Sequence, residues 1–243
     1  MKNSNRIILG LFFLSTLANA QWSKEDKIQG NGNVITKTIN TSDYDKVLVS
    51  GFYDVDLVSG SEGKITISGE ENLLEYVKIE VVDNALKIGT DKRMYLSTSK
   101  GKTIRLTVPF ESLNEVNLSG SGDINSKNNI VASQFSTSLS GSGDINLMVE
   151  AKEITAKVTG SGDMILKGKS EDFKCSVTGS GDLNAYDLES SNVNAAVTGS
   201  GNSKVFCTEL LEARVTGSGD IDYKGDPKKK DTKTAGSGSI TKA

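Results

Sequence analysis

One acidic residue recurs at regular spacing through the second half of the chain. Asp123, Asp144, Asp163, Asp182 and Asp220 each follow a Gly-Ser-Gly triplet, and two further triplets carry Asn202 and Ser239 in the same place. If these carboxylates lie above one another at strand spacing, ~4.8 Å, neighbouring charges repel by about 1 kcal/mol in water and by more at a protein surface. Something must offset this. The local answer is that each Asp caps its own turn by accepting backbone N–H groups. The alternative is a row of cations, for which calcium would need six to eight oxygens. The spacing differs from that of the calcium-binding nonapeptide repeats, so turn capping is preferred. The outward Asp column is carried forward as the candidate binding row, with no metal and no cofactor assigned.

The rest of the inventory argues against catalysis. The chain has no His, which removes the commonest general base and metal ligand. Beyond the N-terminal leader its arginines are Arg93, Arg105 and Arg214, scattered along the sequence. Paired carboxylates of the kind that cleave glycosidic bonds cannot be singled out from a repeat in which Asp recurs throughout. Cys175 and Cys207 both fall at positions expected to face a core and have no His to activate them, so two buried free thiols are expected.

These residues sit in a repeat. The first Gly of each triplet is Gly120, Gly141, Gly160, Gly179, Gly199, Gly217 and Gly236, with steps of 21, 19, 19, 20, 18 and 19 residues. Around each triplet the sequence alternates with period two, as a half-buried strand does. Two residues before the first Gly stand Leu118, Leu139, Val158, Val177 and Val197; four after it stand Ile124, Ile145, Met164 and Leu183; six before it stand Asn114, Phe135, Ile154 and Phe173. These even offsets define an inward face, which by the same count includes both glycines. The odd offsets are polar and should face water: Ser119, Ser140, Thr159, Thr178, Thr198 and Thr216, the central Ser, and the Asp column. Ile165 and Lys204 interrupt the outward columns.

A 19-residue period of β-type residues is about the perimeter of one solenoid turn. The expected fold is all-β: a right-handed, single-stranded parallel β-helix (β-solenoid) with ~19-residue turns, right-handed because parallel crossovers almost always are. Seven copies make a stack about 30 Å tall. Upstream, Val47, Val49, Gly51, Tyr53, Val55 and Leu57 continue the inward columns, with Asp54 at the Asp position. Lys64–Ser68 reads as a strand, residues 70–76 as a helical turn, Val77–Val82 and Ala85–Ile88 as a hairpin about Asp83-Asn84, and Ile104–Phe110 as a strand. The C-terminal copy has Lys230, Thr232 and Thr234 at inward positions, which marks a polar end.

The chain therefore divides into a signal peptide at 1–20, a loose leader at 21–29, and one solenoid domain at 30–243, irregular to 110 and regular from 111. The signal peptide is read from Lys2 and Arg6, the apolar run Ile7–Leu17, and the cleavage site Ala18-Asn19-Ala20. The mature part should be exported, to the periplasm, the cell surface or beyond, with no membrane span. The net charge of −3 carries no basic footprint for nucleic acid.

With Val49-Ser50-Gly51-Phe52-Tyr53-Asp54-Val55, the hairpin through Asn84-Ala85-Leu86-Lys87-Ile88 and the Ser-Gly-Ser-Gly-Asp repeats, the sequence resembles the head GIN domain family of auto-transporter adhesin heads over roughly residues 30–240. The resemblance implies a β-helical fold outside the cytoplasm and brings no active site with it. The expected function is a non-catalytic exported binding or structural protein, an adhesin-like module recognising glycans or a cell-surface protein. The alternatives are a polysaccharide-acting β-helix enzyme and a purely structural envelope component.

Overall fold

The computed structural model describes residues 26–91 and 94–243; the expected signal peptide and Arg93 lie outside the described residues. The chain begins with β1 (Asp26–Gln29) and β2 (Val34–Asn40), followed by β3 (Lys46–Gly51) and β4 (Asp54–Ser59). Next come β5 (Lys64–Glu70), the one-turn α1 (Glu71–Leu74), β6 (Val77–Val82), β7 (Ala85–Thr90), β8 (Met94–Ser97) and β9 (Arg105–Phe110). The regular coils are β10 (Glu115–Gly120) with β11 (Asp123–Ser126), then β12 (Ile130–Gly141), β13 (Asp144–Gly160), β14 (Met164–Gly179), β15 (Leu183–Gly199) and β16 (Ser203–Gly217). They end with β17 (Ile221–Lys224), β18 (Lys229–Gly236) and β19 (Ile240–Lys242).

The expected parallel β-solenoid forms. Each coil pairs in parallel with the one above it, and the triplets stay in register: Gly120 opposite Gly141, Gly141 opposite Gly160, Gly160 opposite Gly179 and Gly179 opposite Gly199. The upstream motif lies directly beneath, with Gly51 opposite Gly120 and Val55 opposite Ile124. The core is the stack of inward columns. Leu118, Leu139, Val158, Val177, Val197 and Val215 form one buried row, and Phe135, Ile154, Phe173, Val193 and Leu211 form another.

The structure corrects three expectations. Asn114 is exposed, and the neighbouring Leu113 takes the core position instead. Asp26–Gln29, placed in the loose leader, is a strand that pairs in parallel with β8. The first glycine of each triplet, counted as inward, does not face the core. From Gly120 to Gly217 the first Gly of each triplet is half-buried at a corner, Gly236 in the last coil is exposed, and Gly160 has φ +118, in the region that favours glycine. Its missing Cβ would point along the stack, nearer than 3.0 Å to the Gly141 carbonyl oxygen; at the second glycine, Gly162, a Cβ would meet the Gly143 carbonyl in the same way. The cause is a shared acceptor. The Gly141 carbonyl accepts the amides of both Ser161 (2.9 Å) and Gly162 (3.1 Å) from the coil above, and Gly160 does the same for Ser180 and Gly181. Drawing two amides onto one carbonyl brings successive corners too close for any side chain.

The two ends of the stack differ. At the N-terminal end β7 pairs with β3 and β9 with β4 in parallel, and antiparallel β6, β5 and β2 close the sheet. The β6–β7 hairpin turns through Asp83 (φ 54) and Asn84 (φ 58), the left-handed pair that its two-residue loop requires. The buried Glu70 carboxylate ties this cap together. It accepts the amide of Gly32 (2.5 Å) and both the amide (2.8 Å) and hydroxyl (2.6 Å) of Ser99. At the other end β18 is exposed along its length, and the Lys230 amine sits 3.3 Å from the Tyr223 hydroxyl.

Candidate functional site

The Asp column stands outward as expected, but its hydrogen bonds run to the neighbouring coil instead of the residue's own turn. Oδ1 of Asp123 accepts the amide of Asp144 (3.2 Å), Asp144 that of Asp163 (3.0 Å), Asp163 that of Asp182 (2.9 Å), and Asp182 that of Asn202 (2.7 Å). The two copies without Asp continue the chain: Asn202 Oδ1 accepts the amide of Asp220 (3.0 Å), and Asp220 accepts both the amide (2.7 Å) and hydroxyl (2.8 Å) of Ser239. The column is a ladder of side-chain acceptors on backbone donors. These bonds to charged acceptors offset the repulsion between stacked carboxylates.

The lowest rung differs. Burial pushes the Asp123 carboxyl above its usual range; the Asp144 amide opposes this, while the charges of Asp54 and Asp144 add to it. Asp54, beneath it, is held by Arg105 at 3.5 Å. Among the described residues no group of three or more His, Cys, Asp or Glu side chains converges as a metal site would need.

Other candidate residues fall into place. Ser119, Ser140, Thr159, Thr178, Thr198 and Thr216 form an exposed hydroxyl column beside the Gly-Ser-Gly corner. Arg214 pairs with Asp231 at the C-terminal end, far along the stack from Arg105. Cys175 and Cys207 are both buried and free. Burial pushes the Cys175 thiol up to about 12, slightly countered by Ser203 at 3.7 Å. Lys204, one of the breaks in the outward columns, lies over the Tyr186 ring together with Lys224, at 5.8 Å and 4.2 Å. Tyr186 sits where the register shifts between β14 and β15, an extra residue in a turn of 20.

Two clefts lie side by side where the N-terminal cap meets the first coils. One, of about 700 Å³, is bordered by Leu48, Asn117, Ser138 and the charged Lys78 and Glu80. The other, of about 630 Å³, lies between β8 and the first corners and contains Phe52, Tyr95, Ser121 and Ser142. Sequence reasoning missed both, and only the second left a trace in the sequence. Its signal was Phe52, which takes the outward position that Ser holds in all seven later triplets.

Comparison with known proteins agrees with this architecture. The family described as "Putative auto-transporter adhesin, head GIN domain" matches residues 43–227. A crystal structure of a putative adhesin from Bacteroides fragilis superposes with a TM-score of 0.82 at 23% identity, covering 89% of this chain and 100% of that one. A putative lipid binding protein from Parabacteroides distasonis gives 0.72 at 26% identity, covering 90% and 100%. A putative adhesin from Parabacteroides merdae gives 0.70 at 23%, covering 90% and 99%. Among curated proteins none matches. With the family's pattern spanning most of the solenoid, the chain belongs to the head GIN domain family of putative auto-transporter adhesins.

Proposed function

We propose that this chain is an exported, non-catalytic, adhesin-like module that recognises a glycan or a protein at a cell surface. The observation that carries the reading is the Asp ladder. Each carboxylate is held by the coil above, so the outward wall of Asp, Ser and Thr columns is rigid and repetitive before any ligand arrives. A preorganised wall loses little side-chain freedom on binding, which favours recognition. The same ladder argues against catalysis, because carboxylates fixed in a structural row are poor candidates for an acid/base pair. Export is supported by Lys2 and Arg6, the apolar run and Ala18-Asn19-Ala20. Among the described residues no helix is long and apolar enough to cross a membrane. The adhesin names borne by structural relatives point the same way.

The test is binding of residues 21–243 to a broad glycan array and to intact cells, with and without calcium. The variant Asp144→Asn, Asp163→Asn, Asp182→Asn keeps an amide oxygen at each rung, as Asn202 does, and should fold. A specific hit lost in this folded variant places the ligand on the Asp wall. No binding to glycans or cells overturns the reading.

A further inference from the structure

The repeat is most regular where it stacks and most broken at its lowest corner. Ser occupies the centre of the triplet at residues 121, 142, 161, 180, 200, 218 and 237, yet the matching position beneath them is Phe52. An outward Ser column does not call for an aromatic. Phe52 is half-buried, with its ring stacked on Tyr53 (centroids 5.1 Å apart, 24° between planes). The Tyr53 ring turns inward and its hydroxyl meets Thr90. From a separate stretch of sequence, β8 brings Tyr95 to the same cleft, 56% exposed, with Met94 half-buried beside it. Tyr95 is the aromatic among the large exposed apolar side chains of the described residues. Phe52 and Met94 pack on the edge of the core, and both also border the cleft, so the aromatic surface is held in place from below.

The remainder of the cleft is neutral and polar. Gly120 and Gly141 keep its floor low, Ser121 and Ser142 present hydroxyls on successive coils, and Thr98 adds another. In a chain that is 24% charged, the described lining of this cleft has no ionisable carboxylate, amine or guanidinium. Aromatic surface beside convergent hydroxyls suits a ligand with an apolar C–H face and a rim of hydroxyls. Among the described residues of the lining, a charged ligand finds no counter-charge.

We infer that the cleft between β8 and the first two Gly-Ser-Gly corners is a binding site for a neutral sugar ring, with Tyr95 and Phe52 as its aromatic surface and Ser121 and Ser142 as hydrogen-bonding partners. The inference rests on the binding role proposed above, and gives it a ligand class and a place at the lowest corners instead of along the Asp wall.

The experiment measures binding of residues 21–243 to an array of neutral, acidic and sulfated oligosaccharides, followed by titration of any hit. The variants are Tyr95→Ala, Phe52→Ser and, as a control on another wall, Tyr186→Ala. Phe52→Ser installs the residue that every later triplet carries, and the exposed Tyr95 can be removed without disturbing the fold; circular dichroism checks both. The expected result is a neutral oligosaccharide whose affinity falls roughly tenfold or more in Tyr95→Ala and Phe52→Ser and is unchanged in Tyr186→Ala. A neutral hit that survives both cleft variants overturns the site and leaves the binding role standing. Binding only to acidic or sulfated glycans overturns the ligand class. A blank array overturns this inference, and the binding role falls with it only if intact cells are not bound either.

Discussion

Oδ1 of Asp163 accepts the amide N–H of Asp182 at 2.9 Å, although the two residues are 19 apart in sequence and belong to different coils. The bond gives the recurring Asp a role in every turn without a ligand. Asp163→Ala removes the acceptor and is expected to cost about 1 kcal/mol, less than a buried charged bond because the site is exposed. That lowers the melting temperature by roughly 2–4 °C in a chain of this size. Asp163→Asn retains an oxygen acceptor and should lose well under half as much. Equal losses in the two variants, or none in either, would show that the rung does not hold the stack.

The glycines are more demanding than the Asp. A Cβ on Gly162 collides with the Gly143 carbonyl, a backbone atom of the neighbouring coil and not the end of a flexible side chain. Gly162→Ala is therefore expected to cost at least about 3 kcal/mol, with Gly162→Val little worse. The adjacent outward Ser161→Ala should stay within about 0.5 kcal/mol. Chemical denaturation of the three variants decides it. An alanine tolerated at 162, with only valine harmful, would contradict the backbone collision.

Glu70 governs the cap. Burial alone would raise its carboxyl, but the Ser99 hydroxyl, the amides of Ser99 and Gly32 and the charge of Lys102 together hold it below the usual glutamate range. A carboxylate whose folded value is depressed contributes stability above its unfolded value, about 4.3, and loses it as the pH falls toward the folded value. Asp123 has the opposite sign: its folded value is raised, so its contribution is full below the unfolded value and is lost as the pH rises through the folded one. Glu70→Ala should destabilise by about 3 kcal/mol at neutral pH, since it leaves buried donors unpaired. The gap between wild type and Glu70→Ala should narrow below pH 4. Melting curves across pH 3–7 measure this, and a gap independent of pH would contradict it.

The stack and its facing were legible because they depend on period alone. Leu139 and Phe135 had to point inward once Ser140 and Asp144 pointed out, and Asp83-Asn84 dictated its hairpin. What depended on contact between coils was not legible. Nothing in Gly-Ser-Gly-Asp says that the Asp reaches the amide of the next coil, or that the Gly141 carbonyl takes two amides, because both partners lie about 19 residues away. Asp26–Gln29 was missed for a similar reason: four polar-rich residues become a strand only against β8. The cleft of Phe52 and Tyr95 needed the cap folded onto the first corner. Its one sequence trace was an aromatic in a Ser column.

The two cysteines should be inert in the folded protein. Burial raises both thiols, Cys175 to about 12. A thiol-reactive dye at pH 8 is expected to label neither side chain in native protein and both after unfolding, since both are free. A single fast-reacting native thiol would mean that one of them reaches the surface.

Binding without turnover is tested most directly by incubating residues 21–243 with labelled surface polysaccharide and intact cells, measuring retention on the immobilised protein and the mass of every recovered glycan. The expected result is saturable retention with the glycan or cell ligand recovered unchanged in mass. Glycan recovered in shorter fragments, or no saturable retention on any surface, would contradict an adhesin-like module.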